Sequence, residues 1–274
     1  MAVSVTFWGV RGSAPCPEPS HARYGGHTSC VSVVIDDHHI VLDAGTGLQA
    51  FDQSLQSRAD VNHIDLLLSH THFDHVCGFP HFKSLFNPGF SCHIRAGHLP
   101  EGQAIRDVMA GLMEPPYFPM PMSFYRANLT FTDFRAGGHF TLADGIDVAT
   151  IALNHTNGAT GYRINGGGRS VCYLTDVEHQ GPQADPALAD FINGADLFIY
   201  DCSYTDEEYE TRSGRGHSTW QAGMRLADAG DVGTFAIFHH DPDHDDGFMD
   251  GIAAQAQAAR PATIVARDGL TVIL

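Results

Sequence analysis

Lysine is nearly missing from this chain: Lys83 is the single lysine among 15 basic residues, against 32 acidic ones, for a formal net charge of −17. Affinity for long nucleic acid rests largely on cationic side chains that displace counterions, so this surface disfavours RNA or DNA as a substrate. A small anion is not excluded, because bound divalent cations would offset the charge locally. The six cysteines (16, 30, 77, 92, 172 and 202) form no Cys-x-x-Cys pair, which argues against a disulfide framework and for reduced, mostly buried thiols. No apolar run approaches membrane-spanning length, and the N-terminus shows no basic region followed by an apolar core. A soluble, cytoplasmic protein with no membrane partner is expected. No repeat, low-complexity tract or linker divides the 274 residues, so one domain over 1–274 is expected, and 43% hydrophobic residues with 29 glycines suit a loop-rich α/β protein.

What is present is histidine in a particular place. The run His70-Thr71-His72-Phe73-Asp74-His75 follows an apolar strand, Ile64-Asp65-Leu66-Leu67-Leu68. A strand that ends in polar ligands delivers them at one edge of a sheet, where open α/β folds place their chemistry. In extended chain His70 and His72 point the same way and can chelate one ion, while Asp74 and His75, where the chain turns toward a helix, can serve a second. The plainer alternative is a solvated polar turn; four metal-competent side chains at this spacing weigh against it.

The same logic recurs downstream. Val148 to Leu153 leads into His155, Val171 to Leu174 into Asp176, Leu197 to Tyr200 into Asp201, and Thr234 to Phe238 into His239 with His240 beside it. Elsewhere Val3 to Trp8 reads as an opening strand and Gly9 to Pro19 as a loop. Ser29 to Ile35 and His39 to Leu42 form a hairpin, with His38 and His39 expected as exposed turn residues. Leu48 to Leu55 is a short helix, and Val76, Phe79, Phe82, Leu85 and Phe86 recur at helical spacing, with His81 structural. Four prolines between Glu114 and Met122 forbid regular structure there, and Tyr117, Phe118 and the methionines suggest a lid, or a contact between two copies, beside the site. Ser218 or Thr219 would cap a helix beginning at Trp220. Asp243, His244, Asp245 and Asp246 read as a solvated acidic turn.

The first motif, preceded by Leu42-Asp43-Ala44-Gly45-Thr46-Gly47, resembles the metallo-β-lactamase-fold hydrolases. With Gly9-Val10-Arg11-Gly12-Ser13 and Gly216-His217-Ser218-Thr219 it is most similar to their phosphodiesterase branch, which includes ribonuclease Z and cyclic-nucleotide phosphodiesterases. The likeness spans nearly the whole chain. It implies a four-layer αβ/βα sandwich of two mixed sheets flanked by helices. It implies one metal on His70, His72 and His155, a second on Asp74, His75 and His239, and Asp176 bridging them. His239 is preferred to His240 because it ends the apolar run. Asp43 is implied as a hydrogen-bond acceptor behind the loop, Asp74 and His217 as catalytic groups, and Tyr117 and Phe118 as substrate contacts. The cofactors implied are two divalent ions, Zn²⁺ foremost, with Mn²⁺ and Fe²⁺ accepting the same donors. A hydroxide bridging the ions would attack phosphorus while His217 assists the leaving group. Small phosphodiesters, 3′,5′-cyclic nucleotides first, are the expected substrates. The alternatives are a ribonuclease Z-like RNA-processing enzyme and a non-catalytic metal-dependent nucleotide-binding module. Arg212 and Arg215 could reach a phosphate or serve only as surface charge.

Overall fold

A computed structural model describes residues 2–58, 60–143 and 145–274. Alternation of side chains sets its layers. In β1 (Val3–Gly9) burial switches with every residue, and Val3, Val5 and Phe7 face one core. β2 (Cys30–Ile35), β3 (His38–Leu42), β4 (His63–Leu68), β5 (Ser91–Ala96) and β6 (Asn128–Asp133) continue that sheet in sequence order. The second sheet runs β7 (His139–Ala143), β8 (Ile146–Leu153), β9 (Ala159–Gly166), β10 (Arg169–Leu174), β11 (Leu197–Asp201), β12 (Thr234–Phe238) and β13 (Thr263–Val265), again as neighbours. β14 (Thr271–Ile273) returns to the first sheet and pairs antiparallel with β1. Both sheets are mixed: β3 to β6 and β10 to β13 are parallel runs, and the remaining pairs are antiparallel.

Between the sheets Val5, Val33, Leu42, Val148, Tyr173, Leu197 and Phe238 form one core. Successive residues of β11 part company: Leu197 and Ile199 enter that core, Phe198 and Tyr200 the opposite one. The helices are α1 (Leu48–Leu55), α2 (Phe73–Val76), α3 (Ile105–Gly111), α4 (Pro186–Ile192), α5 (Asp206–Arg212), α6 (Trp220–Ala229) and α7 (Asp246–Ala259). α1 and α3 cover the outer face of the first sheet, and α4, α6 and α7 that of the second. Each large apolar side chain fully buried this way contributes about 1.5–3 kcal/mol. The result is the expected αβ/βα sandwich. Among the described residues no helix is long and apolar enough to cross a membrane.

Four local expectations are corrected. The stretch from Val76 to Phe86 is not a helix: α2 ends at Val76, and 3-10 turns follow at Phe79–His81 and Lys83–Phe86. Phe82 between them is extended, which breaks any longer helix. The three-residue period of such turns still sends Phe79, Phe82 and Leu85 to one core. His81 is exposed and stands edge-on to Phe118 at 5.6 Å. His38 and His39 belong to β3; His39 is buried, and His38 Nε2 meets Asp65 Oδ2 at 2.7 Å. The 243–246 stretch is a solvated turn only in part: Asp243 and Asp245 are exposed, but His244 is buried against Phe248 and bonded to Glu208 at 2.8 Å, Asp246 is buried, and Asp245 caps α7. Of the two candidates, Thr219 is the cap of α6.

Candidate metal centre

The C-terminal ends of the inner strands meet at one edge, and each delivers a polar side chain there. Asp43 follows β3, His70 follows β4, His155 follows β8, Asp176 follows β10, Asp201 ends β11 and His239 follows β12. Asp43, Asp176 and His239 adopt left-handed backbone, with φ of 61°, 56° and 61°. That conformation costs a non-glycine residue about 1–3 kcal/mol and persists where surrounding contacts over-determine it.

The donors form overlapping groups, one of which joins Asp176, Asp201, His217 and His239. His70, His72 and His155 bring ring nitrogens within 4.8 Å of one another, and so do Asp74, His75 and His239 with their ligand atoms. Asp176 lies between. Its Oδ1 faces His70 Nε2 (3.8 Å) and His155 Nε2 (3.5 Å), and its Oδ2 faces His75 Nε2 (3.1 Å) and His239 Nε2 (3.2 Å).

Hydrogen bonds behind the rings fix which nitrogen faces inward. Asp43, fully buried, accepts from the Ser69 N–H (2.7 Å), the Ser69 hydroxyl, His75 Nδ1 and the Tyr173 hydroxyl (2.8 Å each). Ser69 Oγ in turn lies 3.1 Å from His70 Nδ1. His155 Nδ1–H donates to the Gly216 carbonyl at 2.7 Å. On the other side Ser203 donates to Asp201 (2.8 Å) and meets His239 Nδ1 (3.0 Å). His70, His75 and His239 are thereby left with buried Nε2 atoms that have no hydrogen-bond partner. A buried polar atom left unsatisfied costs about 1–3 kcal/mol, and three of them beside two buried carboxylates form a set that divalent cations fit. His72 differs: its Nδ1, 3.1 Å from His155 Nε2, is the nitrogen that faces the set.

His217 stacks on His239 at 5.1 Å and donates Nδ1–H to Asp201 Oδ2 at 2.9 Å. Burial pulls the His217 imidazole toward neutrality, but Asp201 outweighs it and, with Asp176 and Asp74, pushes its pKa up to about 9. His240 has another fate. Its Nε2–H is tied to the Ala266 carbonyl at 2.8 Å, and burial, with Arg11 nearby, pushes its pKa down to about 3. His239 alone of the pair joins the cluster.

The N-terminal loop supports the same edge. Ser13 N–H donates to Asp74 Oδ2 at 2.7 Å, and a Cβ at Gly12 would strike the His239 ring at 2.3 Å. Arg11 is fully buried and spends its guanidinium on the carbonyls of Gly25, Asp241 and His244, so it braces the loop and does not face a substrate. Arg212 is bound to Asp241 at 2.7 Å and lies over Tyr204, whereas Arg215 is exposed. Tyr117 stands 87% exposed, and Phe118 packs on His81 along the outer side of the first sheet.

Sequence reasoning had no role for Asp201, although its position at the end of an apolar strand matches that of Asp176. It also missed Ser13, Tyr173 and the Gly216 carbonyl, for which no spacing signal exists. Phe73, between His72 and Asp74, is 73% exposed and lies nearer the cluster in sequence than Tyr117 does.

Residues 38–240 match a family model described as "Beta-lactamase superfamily domain". The chain belongs to that superfamily. A relative named ribonuclease Z, from Bradyrhizobium sp. (strain ORS 278), is 25% identical over 297 residues, covering 91% of this chain and 94% of the relative. The metallo-β-lactamase-fold protein YhfI from Bacillus subtilis superposes with a TM-score of 0.73 at 17% identity, covering 100% of this chain and 99% of that one. The short form of human tRNase Z superposes with a TM-score of 0.70 at 18% identity, covering 98% of each chain. The chain is a hydrolase of the metallo-β-lactamase fold.

Proposed function

We propose that this hydrolase is a dinuclear metal-dependent phosphodiesterase acting on small phosphodiesters, 3′,5′-cyclic nucleotides first among them. The observation that carries the reading is the Asp176 carboxylate, which turns one oxygen to His70 and His155 and the other to His75 and His239. One ion would be held by His70, His72 and His155, the other by Asp74, His75 and His239, with Asp176 shared. Zn²⁺ suits these donors, and Mn²⁺ and Fe²⁺ accept them too. Bound there, such cations would acidify water and take up charge on phosphoryl oxygens.

The chain's own residues complete the chemistry. Asp74, oriented by the Ser13 N–H, orients the attacking water. His217 commits Nδ1 to Asp201 and offers Nε2–H to the departing oxygen, which matters most for a poor alkoxide leaving group. Asp43 holds the His70–His75 loop in register. Phe73, Tyr117 and Phe118 supply apolar faces for a nucleobase. We further assign the protein to the cytoplasm, as one domain that can pair as a homodimer.

A second reading, RNA processing, is favoured by the relative named ribonuclease Z. A net charge of −17 with Lys83 as the sole lysine opposes it, because little cationic surface remains to track an RNA backbone. Turnover of bis-p-nitrophenyl phosphate, cyclic mononucleotides, cyclic dinucleotides and a precursor tRNA discriminates the two. Hydrolysis of a cyclic nucleotide to its linear monophosphate is expected. Efficient tRNA cleavage with negligible cyclic-nucleotide turnover would replace the small-substrate reading.

A further inference from the structure

Glu178 stands two residues beyond Asp176 and has no part in the roles above. Its backbone N–H donates to the Asn154 carbonyl at 2.8 Å, and its own carbonyl accepts from Asn154 Nδ2 at 2.9 Å. The turn that carries Asp176 is thus tied to the turn that carries His155. The Glu178 carboxylate reaches the other way. It accepts from the backbone N–H groups of Gly214 and Gly216 (2.9 Å for the latter) and from the hydroxyls of Tyr209 (2.8 Å) and Ser213 (3.4 Å).

Gly214 and Gly216 have φ of 86° and 85°, a backbone that favours glycine and turns their N–H groups onto one point. Loops of this kind form concavities for anions; here the anion is the protein's own side chain. Gly216 then acts in two directions. Its carbonyl accepts the His155 Nδ1–H at 2.7 Å, and its peptide bond leads directly into His217. α5, just before this loop, buries none of its residues. Glu178 supplies the loop with its densest group of polar contacts.

We propose that Glu178 is a positioning residue that joins the two working parts of the centre. Through Gly216 it sets the ring of His155 toward Asp176, and through the same glycine it sets His217 over His239. Its kinetic consequence rests on the phosphodiesterase reading; its consequence for metal binding does not.

The test uses Glu178→Ala and Glu178→Gln in the full chain. Zn²⁺ binding to the metal-stripped protein is measured by calorimetry. Turnover is measured on bis-p-nitrophenyl phosphate, whose leaving group departs without a proton, and on a 3′,5′-cyclic nucleotide, whose alkoxide needs one. Glu178→Ala should weaken Zn²⁺ binding about 10–100-fold, the usual consequence of losing support behind a ligand. It should also lower kcat on the cyclic nucleotide about 10-fold more than on the p-nitrophenyl ester, with KM nearly unchanged. Glu178→Gln, which keeps one carbonyl oxygen for a glycine N–H, should fall between Ala and wild type on both readouts. Unchanged Zn²⁺ affinity, or equal loss on both substrates, would overturn the proposal. If the wild-type protein cleaves neither ester, the functional reading fails, and the Zn²⁺ titration alone still decides the role of Glu178.

Discussion

Two buried aspartates, one from each sheet, support the centre by the same device. Asp43, after β3, holds His75 directly and His70 through Ser69; Asp201, at the end of β11, holds His217 directly and His239 through Ser203. Both are fully buried, and each uses a serine hydroxyl as its second arm. They differ in what they hold. Both rings behind Asp43 are proposed ligands, whereas Asp201 supports one proposed ligand and one ring that is proposed to move a proton. On the proposed roles, the first half of the centre holds ions, and the second couples holding them to proton delivery.

Breaking the group between the halves should have the largest effect. Asp176→Ala removes the carboxylate that faces both donor sets, so activity should fall by at least about 10²–10³-fold, with ion content reduced in metal analysis. Next comes His217→Ala, which should keep its ions and lose about 10²–10⁴-fold in rate on a cyclic nucleotide. Loss of ions from His217→Ala at normal thermal stability would make it a ligand and erase the contrast between the two aspartates.

Substituting the aspartates themselves separates the two kinds of support. Asp43→Ala strands the Tyr173 hydroxyl and the Ser69 N–H in the core, each costing about 1–3 kcal/mol, so Tm, ion affinity and rate should fall together. Asp201→Asn should lower the rate about 10–100-fold, as losing the partner behind a working histidine does, and should also change the pH profile. Burial works against the charge on His217, and Asp201 is the main group that holds it protonated. A raised histidine is fully protonated below its ordinary value of 6.5 and loses its proton as pH climbs through about 9. The alkaline limb of kcat should therefore move to lower pH in Asp201→Asn and stay in place in Asp43→Ala. A limb that moves equally in both would show that the two supports do the same work.

The halves also differ in how far they could be read from the chain. His70, His72, Asp74 and His75 lie within six residues, so spacing alone pointed to them. His155, Asp176 and His239 are scattered, and only the pattern of an apolar strand closing in His or Asp marked them. That pattern also marks Asp201, but nothing in the sequence tells a ligand from a residue that supports one; the difference lies in whether the carboxylate meets imidazole Nδ1 or Nε2. The end of the apolar run favours His239 over His240, and the His240 ring is spent on the Ala266 carbonyl. The layers were legible from alternation, whereas the turns after α2 were not, because i, i+3 spacing serves 3-10 turns as well as helices.

The smallest effect is expected in the Pro-rich loop. Replacing Tyr117 and Phe118 together by Ala should lower cyclic-nucleotide turnover about 5-fold, the low end of about 1 kcal/mol for a lost base stack, and leave bis-p-nitrophenyl phosphate nearly unaffected. An equal effect on both substrates would remove these residues from base recognition and leave Phe73 as the nearer candidate.

Most direct is the metal content of the full chain after saturation with Zn²⁺ and removal of excess, measured beside Asp176→Ala. Two ions per chain are expected in the wild type, and fewer in the variant. One ion or none in the wild type would contradict a centre in which Asp176 serves two sets of ligands.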